Sequence, residues 1–70
     1  MPTIHEVRLR HEDDLLALTG VVGVADAMIG GHPVIQVLMS DDIAEHIAAI
    51  PERIEGYPVE IISTGQIDAL

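Results

Sequence analysis

The chain has 70 residues, with twelve carboxylates against three basic side chains and a formal net charge of -9. It contains no Cys, Phe or Trp, and its basic residues are Arg8, Arg10 and Arg53, with no lysine. These counts exclude disulfides, thiolate metal sites, cysteine nucleophiles, lysine Schiff bases and P-loops, and they disfavour nucleic acid and anionic membranes, which call for basic patches.

Residues 3–10 alternate, with Val7 and Leu9 on one side and Glu6, Arg8 and Arg10 on the other, which predicts a half-buried strand. Residues 11–19 lead with acidic side chains and trail with leucines, as a short helix does when its N-terminal dipole attracts carboxylates. Leu15 and Leu18 share its inner face, and Gly20 ends it. Val21 to Ile29 is rich in β-branched residues and reads as a second strand. Gly30-Gly31-His32-Pro33 is a turn signal. Val34 to Met39 is apolar except for Gln36, the composition of a central strand. Ser40-Asp41-Asp42 then caps a helix whose stripe is Ile43, Ile47 and Ile50, with Glu45 and His46 toward solvent. Pro51 interrupts it, and residues 51–56 are expected to add one turn ended by Gly56. Val59 to Thr64 is the last strand, with Val59 and Ile61 inward, and residues 66–70 form a short tail.

This order is that of a single ferredoxin-like βαββαβ domain over residues 1–70. The expectation is an antiparallel sheet of four strands in the order 4-1-3-2, with both helices on one face. The apolar fraction of 49% is too high for a disordered acidic tail. No apolar run reaches the roughly 20 residues of a membrane span. No signal-peptide pattern opens the chain, so a cytoplasmic location is expected.

Such a sheet leaves one face bare. It would carry Arg8 and Arg10 from the first strand, apolar residues from Val34–Met39, and one of two parities of the Val21–Ile29 strand. An exposed apolar patch of this kind marks an interaction surface, and a domain of this size needs outside support, since it buries only about 60% of its unfolded surface. The candidate interface is Arg8, Arg10, Val22, Val24, Gln36 and Leu38, with the arginines able to meet Glu6, Glu60 or Asp26. Self-association, or association with a partner protein, through this bare face and the edge strand near Val21–Ile29 is the expected role.

Four histidines are the remaining chemical groups. His5, His11 and His32 are the candidate ligands for a zinc or nickel ion, the alternative function, although no His-x-His or His-x3-His spacing occurs. Asp13-Asp14 and Asp41-Asp42 stand at expected helix starts, where carboxylates cap. No nucleophile elbow or calcium loop is present. The expectation is therefore a non-enzymatic protein without a cofactor.

The run Leu16-Ala-Leu-Thr-Gly-Val-Val-Gly-Val24, the turn through Gly30-Gly31-His32-Pro33, and Ile50-Pro-Glu-Arg-Ile-Glu-Gly-Tyr-Pro-Val-Glu-Ile-Ile-Ser-Thr-Gly65 follow in this order. Over residues 15–70 this pattern resembles the small region that precedes the catalytic domain in some bacterial trypsin-like peptidase relatives. The Gly-Asp-Ser-Gly nucleophile motif is absent, so no catalytic residue carries over. The resemblance implies a small folding or interaction module.

Overall fold

Residues 3–10 form no strand. In the computed structural model, which describes residues 3–63, Ile4–Leu16 is a helix, α1. Its start is a capping box: the Thr3 hydroxyl accepts from the Glu6 N–H at 3.2 Å, and the Glu6 carboxylate accepts from the Thr3 N–H at 3.2 Å. This satisfies two donors that a helix start otherwise leaves open. Ile4, Val7, His11, Leu15 and Leu18 follow at helical spacing, and Val7 and Leu15 are buried. The alternation of Val7 and Leu9 spans two apolar positions only, and Leu9 is 53% exposed on the outer side of the helix.

Two strands follow as an antiparallel hairpin, β1 (Val21–Ile29) and β2 (His32–Met39). The turn between them is Gly30–Gly31, both at positive φ (+58° and +82°). Positive φ at both central residues is what a two-residue hairpin turn of the type I′ class requires. His32 and Pro33 belong to β2 rather than to the turn. A β-bulge interrupts the register between Val21 and Gly23.

The chain then leaves the sheet through a short helix, α2 (Ala44–Ala48). The expected Ser40-Asp41-Asp42 cap does not form, because the N-cap is Ile43 and no side chain caps the helix. Asp41 Oδ1 accepts from the Ile43 N–H at 3.1 Å, and the helix begins after Ile43 rather than at Ser40. Residues 51–56 do not extend a helix. They provide β3 (Arg53–Ile54) and a two-residue turn into β4 (Tyr57–Ser63), with Glu55 and Gly56 at φ +49° and +89°. The predicted end of the last strand at Thr64 and the tail at 66–70 lie outside the described residues.

β4 returns parallel to β2, so the sheet is mixed, in the order β1-β2-β4-β3. The expected ferredoxin-like antiparallel sheet in the order 4-1-3-2 does not form. Its first strand was to occupy a central place, and the capping box takes those residues into α1 instead. β2 becomes central between β1 and β4, as its apolar composition demands. Segment 40–56 is long enough for the crossover that a parallel neighbour needs. An α+β domain with two helices and a four-stranded sheet is retained.

The core is Val7, Leu15, Val21, Ile35, Val37, Met39, Ile50 and Ile54. Ile35, Val37 and Met39 settle which side of β2 faces α1. Val59 and Ile61 stand beside Ile35 and Val37 in the β2–β4 register and pack against the same cluster.

Candidate interaction surface

Pairing places the remaining strand residues on the opposite side of the sheet. Gly23, Leu38 and Ile62 form one row across β1, β2 and β4; Ala25, Gln36 and Glu60 form the next. Ala27 pairs with Val34, and Pro58 pairs with Arg53 at the β3 edge. α1 packs on the core side through Val7 and Leu15, and α2 turns Ile47 to the same core, so neither helix lies over this second face. Gln36 Nε2 donates to Glu60 Oε1 at 3.0 Å, which satisfies the polar row internally.

The electrostatics of this face differ from those of the whole chain. β1, β2 and β4 place one carboxylate on it, Glu60, and β3 places one cation beside it, Arg53. The face is formally neutral in a molecule of net charge -9. The other carboxylates of the described residues lie on the helices, on the loops or on the core side of β1.

Of the six candidate interface residues, the structure brings Gln36 and Leu38 together on this face. Val24 points to the core side and packs against the cluster there. Val22 is the extra residue of the bulge and is 57% exposed. Arg8 and Arg10 are helical, so the expectation that they share a strand face with Gln36 and Leu38 is corrected. Arg8 Nε donates to Asp26 Oδ2 on β1, and its Nη1 lies 3.4 Å from Glu12. Arg10 Nη1 donates to both oxygens of Glu55, at 3.0 and 2.8 Å. The two arginines thus tie α1 to β1 and to the β3–β4 turn.

Three histidines stand beside these carboxylates. His11 Nε2 is 2.8 Å from Glu55, His5 Nδ1 is 3.6 Å from Asp26, and His46 Nδ1 is 3.1 Å from Asp41. His46 therefore does not simply face solvent as expected. Hydrogen bonding from Arg8 holds the Asp26 carboxyl below its ordinary range, with the Arg8 charge and His5 adding to it. His11 and then Arg10 do the same for Glu55, and the Ile43 N–H does so for Asp41. His5 and His11 lie against different carboxylates and His32 begins β2, so the three candidate metal ligands do not converge. Among the described residues no three His, Asp or Glu side chains are grouped to hold a metal ion, and no pocket opens. No helix of the described residues is long and apolar enough to cross a membrane.

Ala27 and Ile62 on the open face were not singled out from the sequence, and Val34 and Ala25 stood there only as one of two parities, with Glu60 as a partner for the arginines. Their signal was the alternation itself, once the parity of β2 is known. No family model matches the chain, and neither the curated proteins nor the solved structures contain a significant match to it.

Proposed function

We propose that this domain is a non-enzymatic self-association module that packs its open sheet face against a second copy. The observation that carries this reading is the segregation of charge. Of the eleven carboxylates among the described residues, one lies on a face built from Leu38, Ile62, Val34, Ala25 and Ala27. Sheet-on-sheet packing buries such a face in a layer about 10 Å thick. Arg53 and Glu60 supply opposite charges, so a two-fold arrangement can set each against the other across the interface. The small core gives the association an energetic role, since domains of this length draw stability from partners. An accessory module of this kind agrees with the resemblance to the region that precedes a peptidase domain.

The test is a dilution series followed by backbone NMR. Concentration-dependent shifts clustered on Gln36, Leu38, Glu60 and Ile62 are expected. Shifts confined to the outer surface of α1, or none up to millimolar protein, contradict the reading.

A further inference from the structure

We infer that copies of this chain also join side by side, β1 to β1 in antiparallel pairing about Ala25, extending the sheet and widening the open face. The inference deepens the proposed function, resting on it for the use made of the wider face. The starting observation is the difference between the two sheet edges. β3 ends one side with two residues, follows Pro51 and carries Arg53. Short strands, proline and charge are the usual protections of an edge. β1 ends the other side with nine residues and contains neither proline nor a basic residue. Its single charge, Asp26, lies on the core side and is bound by Arg8. Its bulge falls at the start, which leaves Gly23–Ile29 regular.

The backbone and the side chains favour the same register. A two-residue turn makes Ile29 and His32 a hydrogen-bonded pair. Alternation from that pair turns the N–H and C=O groups of Val24, Asp26 and Met28 outward. Pairing about Ala25 sets Val24 opposite Asp26 of the second copy, so these outward groups meet each other. The same register sets Gly23 opposite Ala27 of the second copy and Ala25 opposite itself, and brings Met28 of the second copy past the regular segment to the bulge residue Val22. Val22 and Met28 are the two most exposed large apolar residues described, at 57% and 67%. Residues of like parity meet, so the open faces of both copies fall on one side of the joined sheet.

Area gives the pairing its purpose. Three strands of about seven residues present a face of roughly 14 by 23 Å, or about 330 Å² in projection. A stable interface buries about 800 Å² per partner. One open face is too small by this measure, and two joined faces double it.

The absence of cysteine from the chain permits a clean test with single-cysteine variants. Residues facing each other in a non-hydrogen-bonded antiparallel pair have Cα atoms about 4.5 Å apart, within the range a disulfide spans. Ala25→Cys is therefore expected to convert almost completely to a covalent dimer under mild oxidation. Ala27→Cys, which lies four residues out of register with its mate and about 13 Å from it, is expected to stay largely uncrosslinked. Equal crosslinking of both variants, or of neither, overturns the inference. Light scattering on the unmodified chain and on Leu38→Glu separates the two levels. Association that Leu38→Glu abolishes while Ala25→Cys fails to crosslink overturns edge pairing and leaves the face reading standing. A monomer at every concentration overturns both.

Discussion

Val7 and Leu9 distinguish the two ways in which residues 3–10 can fold. A strand buries both on one face, whereas α1 buries Val7 and leaves Leu9 in solvent. Val7→Ala is therefore expected to cost about 2 kcal/mol, as truncations in a packed core do. Leu9→Ala is expected to stay within about 0.5 kcal/mol of the parent. Urea denaturation of the two variants measures both values, and equal losses contradict the helix. Thr3→Ala removes the cap and is expected to cost about 1 kcal/mol in the same assay. The helix was legible in the sequence, because Thr3-x-x-Glu6 is a capping box and Ile4, Val7, His11 and Leu15 keep helical spacing. Alternation over a few residues competed with that signal, and only burial of Leu15 on the same stripe as Val7 decides between them. The carboxylates add a pH dependence. Asp26, Glu55, Asp41 and Glu6 are all held below their ordinary values in the fold. A carboxyl whose value is lowered by folding adds stability above its unfolded value, and that stability is lost as pH falls through the folded value. Thermal midpoints are expected to fall as pH drops below about 5, with a shallower fall in Asp26→Asn. An unchanged acid limb in that variant means the Arg8–Asp26 pair does not link α1 to β1.

At the scale of elements, the β3–β4 hairpin shows what a glycine signal can and cannot specify. Gly56 marks a chain reversal in the sequence, and both a helix stop and a primed hairpin turn place glycine there. The pairing of Arg53 with Pro58 and of Ile54 with Tyr57 chooses the hairpin. These are tertiary facts that residues 51–56 do not carry alone. At φ +89° Gly56 has open space around it, so a methyl group there meets no neighbour. Gly56→Ala is thus expected to cost about 1 kcal/mol through backbone conformation alone. A neutral result contradicts the primed turn. Glu55 also takes positive φ, a conformation uncommon for a side-chain-bearing residue. Its carboxylate is held there by Arg10 and His11 of α1. The central place of β2 followed from its composition, but its parity did not, because Val34, Leu38, Ile35 and Val37 make both faces apolar. The parallel return of β4 was beyond local pattern, since it depends on where the crossover sets the chain down.

The whole molecule divides its charge unevenly. Eleven acidic side chains, the twelve of the sequence less Asp68, which lies outside the described residues, fall in the described residues, and the open face receives Glu60 alone among them. Net repulsion between two copies of charge -9 remains, and it is long-range and screened by salt. Apolar contact is short-range and strengthened by excluded salts. Self-association is therefore expected to strengthen as ionic strength rises from about 0.01 to 0.15 M, where the Debye length shortens from roughly 30 to 8 Å. Weakening over that range would mean that opposite charges, not the neutral face, drive assembly. Sedimentation equilibrium at 0.15 M salt across a wide range of protein concentration measures the central claim directly. The weight-average mass is expected to rise from the 7.5 kDa of one chain to at least twice that value, and to rise less in Leu38→Glu, which removes face packing and leaves only edge pairing. A mass fixed at 7.5 kDa up to millimolar protein, or a rise that Leu38→Glu leaves unchanged, would contradict that claim.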